Sequence, residues 1–256
     1  MGSSGLSTIK QLTMTRFFVE PSQIIGSSIA FNAHDSHHLA VVLKRRVGDG
    51  VLICDGLGSE YLVTLIQVGK NECSGKITDM YRLATEPRTK VTVAQSLPKT
   101  LDKLEWVLQH GTELGAVKFV PFYSLRSRED WRRLTPKRDR WQEIVRSAAE
   151  QSRRALCPQV APIASFSDVL SLIPQFDLAL FAYETEKETS LRSILSTSSA
   201  AKILIIVGPE GGFADQEVQQ AGNCEARAIS LGPRILRTET AALCLLSQIY
   251  YALEAS

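Results

Sequence analysis

The sequence predicts a small β domain followed by a larger α/β domain, and three observations carry that expectation. Short β-type runs separated by turn signals crowd residues 16 to about 85. From Glu86-Pro87 onward, strand-like and helix-like segments alternate. One continuous apolar run, Ile203-Leu204-Ile205-Ile206-Val207, reads as a strand buried on both faces of a parallel sheet.

Taken in order, residues 1–13 start with Met-Gly-Ser-Ser-Gly and lack the basic-then-apolar order of a signal peptide, so they read as a flexible leader. The first domain is expected over residues 14–85. Phe17-Phe18-Val19, Val51-Leu52-Ile53-Cys54 and Tyr61-Leu62-Val63-Thr64-Leu65 are its strands, set apart by Gly48-Asp49-Gly50 and Asp55-Gly56-Leu57-Gly58. Close strand spacing suggests a small barrel. His37 to Leu43 reads as one short helix. The second domain is expected over 86–256. It begins with a strand at Val91-Thr92-Val93-Ala94 and a helix from about Leu101 to Leu114, stopped by Gly115. A strand at Lys118-Phe119-Val120 follows. A helix from near Pro136 places Trp141, Ile144, Val145, Ala148 and Ala149 on one face. Further strands are expected at 178–181, 203–207 and, more weakly, 228–231. The last helix, about Glu239 to Leu253, is apolar on most faces and calls for burial in the core or against a second subunit.

Bulk properties exclude more than they identify. With 256 residues and 44% hydrophobic content the chain has ample material for a core. The net charge of +2 makes charge distribution more informative than the sum. The five scattered cysteines form no CxxC pair, which argues against a zinc site or a disulfide framework and fits a reducing cytoplasm. The four histidines show no ligand spacing, so no metal is expected. No segment reaches the about 18 apolar residues of a membrane span.

Two loops carry the chemistry. Val207-Gly208-Pro209-Glu210-Gly211-Gly212-Phe213 follows the buried strand, where open α/β sheets bind ligands beyond the strands' carboxyl ends. It is neither a phosphate-binding P-loop nor a dinucleotide fingerprint, because Gly-Lys-Ser/Thr and GxGxxG are absent. Glu210 would repel a phosphate, so a neutral or positively charged nucleoside fits better; a tight turn without a ligand is the plainer alternative. The second loop, Leu231-Gly232-Pro233-Arg234-Ile235-Leu236-Arg237-Thr238-Glu239-Thr240-Ala241, again leads from a strand into a helix that Thr238 or Glu239 could cap. Arg234 and Arg237 either pair with Glu210, Glu239 or a neighbouring subunit, or contact RNA.

Together these two motifs resemble those of the 16S ribosomal RNA (uracil-N3)-methyltransferase family, within the knotted SPOUT superfamily. The resemblance extends to Lys103-Leu104-Glu105-Trp106, Gly111-Thr112-Glu113-Leu114-Gly115, Arg126-Ser127 and Ala149-Glu150-Gln151-Ser152-Arg153-Arg154. Arg16-Phe17-Phe18 and Val42 to Asp49 resemble that family's PUA-like RNA-binding barrel. Lys44 departs from it, standing where an arginine is expected; lysine keeps the charge and loses the bidentate fork. The resemblance implies an α/β trefoil-knot methyltransferase domain behind a PUA-like barrel, working as a homodimer on 16S ribosomal RNA within the small subunit. It also implies S-adenosylmethionine as cofactor, enclosed by Phe181, Tyr183 and Glu184, by Val207, Gly208, Pro209, Gly211 and Gly212, and by Leu231, Gly232, Ile235, Leu236, Thr238 and Ala241.

Methylation at uracil N3 needs loss of the N3 proton and exposure of the pairing edge of the base. Arg237 and Arg234 are the candidates to stabilise the uracil anion. Glu210 and Glu239 are candidate bases, with backbone hydrogen bonding or ion pairing as the alternative for each. For RNA docking, residues 126–154 hold ten Lys/Arg against five Asp/Glu. The candidate contacts are Arg16, Lys44, Arg45, Arg46, Arg126 and Arg153. Trp131 is a further candidate for stacking on a base, against packing in the core.

Overall fold

The computed structural model describes residues 14–82, 85–127, 137–187 and 189–254, so the expectations for residues 1–13, Trp131 and Pro136 lie outside the described residues. Two compact units emerge. One comprises residues up to Glu86 together with Glu150–Cys157, and the other Pro87–Ala149 with Pro158 onward.

The first unit contains β1 (Arg16–Phe18), β2 (Ile24–Ile25), β3 (Ser28–Ala30), α1 (Ala33–His37), β4 (Gly50–Cys54), β5 (Ser59–Val68) and β6 (Cys73–Arg82). The strands form one sheet in the order β1-β4-β5-β6-β3-β2, antiparallel except where β1 pairs with β4. Its core gathers Phe17, Ile29, Phe31, Leu39, Ile53, Val63 and Leu65. The helix expected from His37 to Leu43 starts earlier, at Ala33, because Asn32 accepts a hydrogen bond from Asp35 N and caps it. One turn of π-helix continues it over His38–Val42. β6 was not expected from the sequence. Its inward residues are Cys73, Gly75 and Ile77, and a Cβ at Gly75 would lie 2.2 Å from Val63 Cγ1, so the strand's central core position carries no apolar signal.

Residues 150–157 cluster with this unit through two carboxylates. Glu150 Oε1 accepts from Phe18 N at 3.0 Å. Glu86 takes the buried Arg154 guanidinium and the Ala155 and Leu156 N–H groups.

The second unit alternates strands and helices: β7 (Lys90–Ser96), α2 (Leu101–Glu113), β8 (Lys118–Tyr123), α3 (Arg138–Gln151), β9 (Gln159–Val160), β10 (Ala164–Ser165), α4 (Phe166–Ser171), β11 (Leu178–Ala182), α5 (Leu191–Leu195), β12 (Lys202–Val207), α6 (Asp215–Asn223), β13 (Arg227–Ile229) and α7 (Thr238–Glu254). The sheet runs β10-β8-β7-β12-β11-β13, with β9 beside β8, and every pairing is parallel. β12 sits inside it, with Ile203 to Val207 all buried, as a strand covered on both faces requires. Gly115 ends the turn after α2 at φ +109°. The expected Trp141, Val145, Ala148 and Ala149 form the buried face of α3. α7 buries Ala241, Ala242, Leu245, Leu246 and Ile249 but leaves Tyr251 largely exposed, so it is apolar on one side rather than all round. Among the described residues, no helix is long and apolar enough to cross a membrane.

Candidate active site

The adjacent strands β12, β11 and β13 end on the same side of the sheet, and the loops that leave them surround a cavity of about 590 Å³. The β12 loop supplies Val207, Gly208, Pro209, Glu210, Gly212 and Phe213; β11 supplies Ala182, Tyr183 and Glu184. The β13 loop contributes residues from Ile229 to Arg237, and α7 adds Thr238 and Ala241. Both long motifs therefore face one cavity, where a parallel sheet offers it.

The glycine loop is shaped by its own aromatic anchor. Phe213 packs on Phe181 with ring centroids 4.2 Å apart and reaches Phe166 and Phe122. Its ring passes so close to Gly208 that a Cβ there would lie 2.8 Å away. Gly212 adopts φ +67°, and a Cβ on it would lie 3.0 Å from Glu184 Oε1. Position 212 thus favours glycine mainly on conformation, with the Glu184 carboxylate close enough that a side chain would have to displace it.

A buried relay joins the two motifs. Gln95, at the end of β7, donates from Nε2 to Thr238 Oγ1 at 2.8 Å, and Thr238 donates its hydroxyl proton to the Gly208 carbonyl. Thr238 is the first residue of α7, so its side chain ties that helix to the glycine loop rather than capping the helix. Gln95 Oε1 is buried without a hydrogen-bond partner among the described residues.

The four expected catalytic residues separate. Arg234 and Arg237 line the cavity, are exposed, and have no ion-pair partner among the described residues. Glu210 also lines it but is occupied: Lys103 Nζ lies 2.7 Å from Oε1, and Lys99 N donates to the same carboxylate. Burial opposes its ionisation. Hydrogen bonds from Lys103, from its own backbone and from Lys99, with the Lys103 charge, more than offset this and hold the carboxyl below its ordinary value. Glu239 is not on the cavity wall. Its Oε2 is buried without a hydrogen bond, with Lys103 Nζ 4.0 Å away.

Most expected cofactor residues meet at the cavity: Tyr183, Glu184, Val207, Gly208, Pro209, Gly212, Leu231, Gly232, Ile235, Leu236, Thr238 and Ala241. Two do not. Phe181 is buried in the aromatic core beneath the loop, and Gly211 faces Arg126. Lys103 was missed as a site residue, although its position one turn into α2 left it open to the loop; Gln95 reads in the sequence as an ordinary strand residue.

The expected RNA contacts divide likewise. Arg16 is corrected: its side chain is 7% exposed, with Nε 2.9 Å from Glu60 Oε1 and 2.8 Å from Cys54 Sγ. Buried beside the Glu60 carboxylate, which neutralises it, the Arg16 guanidinium is not presented to an RNA phosphate. Burial pushes the Cys54 thiol up to about 12 despite that cation. Lys44 and Arg46 are exposed, Lys44 at φ +51°, whereas Arg45 is half-buried with Nη2 on Thr15 Oγ1. Arg153 is exposed at φ +59°. Arg126 turns toward the glycine loop, with Nη1 3.0 Å from the Gly211 carbonyl oxygen.

Comparison with known proteins agrees with this geometry. A family profile described as an RNA methyltransferase domain matches residues 85–250, and one described as an RNA methyltransferase PUA domain matches residues 31–78. The ribosomal RNA small subunit methyltransferase E of Bacillus subtilis (strain 168) is 38% identical over 254 residues, covering 94% of this chain and 98% of the relative. The protein of the same name from Mesomycoplasma hyopneumoniae (strain 232) is 33% identical, over 92% and 98% of the two chains. A crystal structure of ribosomal RNA small subunit methyltransferase E from Neisseria gonorrhoeae, bound to S-adenosyl methionine, superposes with a TM-score of 0.84 at 32% identity, over 93% and 97% of the chains. With a parallel α/β unit carrying these two loops and both profiles matched in order, the chain belongs to the RNA methyltransferase family, with a PUA domain ahead of the catalytic one in the sequence.

Proposed function

We propose that this chain methylates N3 of one uridine in 16S ribosomal RNA, using S-adenosylmethionine. The observation that carries the reading is the convergence of the glycine loop and the arginine loop on one cavity at the ends of β12, β11 and β13. The domain boundaries of the sequence reading, the homodimer, the threaded trefoil knot, the cytoplasmic site of action and the setting within the small ribosomal subunit belong to the same proposal. They are supported by the resemblance of both motifs.

The residues present fit the cofactor. The cavity falls in the size range of small-molecule sites. Its wall offers both signs, suiting a ligand with a cationic centre and polar groups: Glu184 is an exposed carboxylate, Glu210 is taken up by Lys103, and Arg234 and Arg237 stand on the β13 loop. Gly208, bare of a side chain so that the Phe213 ring can pack against it, and Gly212 present loop backbone at the wall. Tyr183, Glu184, Gly208, Gly212, Leu231, Gly232, Leu236 and Thr238 would hold it. S-adenosylmethionine supplies, when bound, an electrophilic methyl group on a sulfonium.

The chain's own residues must then position the uracil and accept its proton. Arg237 and Arg234, unpaired at the cavity, place cationic donors where charge develops on O2, N3 and O4. Glu210 serves as an anchor for Lys103 and Lys99 and is a weak base, since its carboxyl is held in the ionised form. Glu239 has a carboxylate oxygen without a hydrogen bond and is the alternative base, but it lies off the cavity wall with Lys103 Nζ 4.0 Å away, so neither carboxylate is singled out to take the N3 proton. Lys44, Arg46 and Arg153 supply phosphate contacts at the surface, and Arg45 contributes through its half-buried guanidinium.

Mass spectrometry of 16S ribosomal RNA from a strain lacking this gene tests the reading. One N3-methyluridine should be absent and should return on complementation with the wild-type chain. An unchanged nucleoside profile sinks the assignment, and loss of a different methylated nucleoside moves the target.

A further inference from the structure

We propose that Arg126 and Glu217 are positioning residues for the cofactor, forming a staple that holds the glycine loop in its binding shape. The proposal rests on the reading of the cavity as the S-adenosylmethionine site. It reassigns Arg126, whose place in a basic stretch suggests an RNA contact.

Glu217 lies on α6 and is only 2% exposed, so its charge must be met by local donors. The two oxygens are shared between two loops. Oε2 accepts from Ala214 N at 2.9 Å, closing the glycine loop onto the start of α6. Oε1 accepts from Leu125 N at 2.9 Å, fixing the turn that follows β8. That turn is braced on its other side, where Ser127 Oγ donates to the Ser124 carbonyl and accepts from Ser124 N, both at 2.9 Å. Ser124 Oγ also meets Ser96 Oγ at 2.9 Å.

Held this way, the turn aims the next side chain at the glycine loop. Arg126 Nη1 donates to the Gly211 carbonyl at 3.0 Å and the Phe213 carbonyl at 3.2 Å. These carbonyls flank Gly212, the residue at φ +67° on the cavity wall. The Arg126 stem lies along Gly211, where an added Cβ would sit 3.4 Å from Arg126 Cβ. One cation therefore pins both sides of the loop residue held in the left-handed region. Neither Arg126 nor Glu217 lines the cavity, so each acts through the loop.

Calorimetry with S-adenosylmethionine and filter binding to a 16S ribosomal RNA fragment, on the full-length protein, test the staple. Arg126→Ala should raise the cofactor Kd about tenfold, the effect of losing hydrogen bonds from a charged donor. Its RNA affinity and salt slope should stay within about twofold of wild type. Arg126→Lys should recover part of the loss, because an ammonium reaches one carbonyl but not both. Glu217→Gln, which retains the shape and turns a donor toward an N–H, should raise the Kd in the same direction. In both Arg126→Ala and Glu217→Gln, the amides of residues 212–214 should exchange hydrogen faster. If Glu217→Gln does not fold, the exposed Arg126 variants decide alone. A weaker, less salt-dependent RNA affinity with an unchanged cofactor Kd in Arg126→Ala would overturn the proposal in favour of an RNA contact. A wild-type protein that binds no S-adenosylmethionine would instead remove the cofactor reading beneath it.

Discussion

The two loops that face the cavity are held in opposite ways. The β12 loop is tied at nearly every residue: Gly208 by Thr238, Glu210 by Lys99 and Lys103, Gly211 and Phe213 by Arg126, and Ala214 by Glu217. The β13 loop has almost no such ties. Among the described residues, the hydrogen bond from Gly232 N to Ser230 Oγ at 3.3 Å is the one that holds its stretch 231–236, and Ile235 is 84% exposed. The difference assigns them different work. A preorganised loop lowers the ordering cost of binding a ligand of fixed shape. A lightly held loop with two unpaired arginines keeps its donors available for a partner that arrives later.

This contrast can be broken by experiment. The largest effect is expected from Arg237→Ala, which should lower single-turnover methyl transfer by at least about a hundredfold while cofactor affinity survives. A cofactor Kd that rises in parallel would place Arg237 with the tied loop after all. Gly212→Ala comes next: strained backbone and the Glu184 contact together should cost about 1–3 kcal/mol, read as weakened cofactor binding in calorimetry. The matching change Gly232→Ala meets no atom within 4 Å and should cost less in the same assay, strain at φ +107° being its only penalty.

Thr238→Val should leave the Gly208 carbonyl and the Gln95 amide without their shared partner, lowering thermal stability by about 1–2 kcal/mol. An unaltered melting curve would show that the relay is not needed to hold the loop.

The smallest effect concerns acid. The Glu210 carboxyl is depressed in the folded protein, so its contribution is present above the ordinary glutamate value of 4.5 and is lost as pH falls through the lower folded value. Wild-type protein should therefore lose more stability than Glu210→Gln between about pH 6 and pH 3. Parallel losses in thermal scans would mean that the Lys103 pair is too solvent-exposed to matter.

The main strands and helices of the second unit were legible because buried parallel strands read as unbroken apolar runs, and α2, α3 and α7 carry helical periodicity. Short elements such as β9, β10 and α5 offered too few residues for any period. β6 escaped because Gly75 occupies its core position. In the site, the paired motifs exposed most of the cavity wall, since loop glycines and arginines stand out locally. What the sequence concealed depends on contacts across long separations. Arg16 reads as surface charge until Glu60 is placed beside it, and Gln95 reads as a strand residue until Thr238 closes on it. Arg126 and Glu217 likewise acquire their meaning from a loop more than eighty residues away from the first of them.

The relay from Gln95 through Thr238 to Gly208 also has a consequence for inheritance. Two side chains on separate elements, Gln95 and Thr238, share a hydrogen bond, and Thr238 passes it on to a main-chain carbonyl that any residue at 208 would offer, so neither side chain can change freely without the other. Positions 95 and 238 should vary together among relatives, as one character rather than two. Grafting the two long motifs onto another scaffold of this family should accordingly succeed only when residue 95 travels with them.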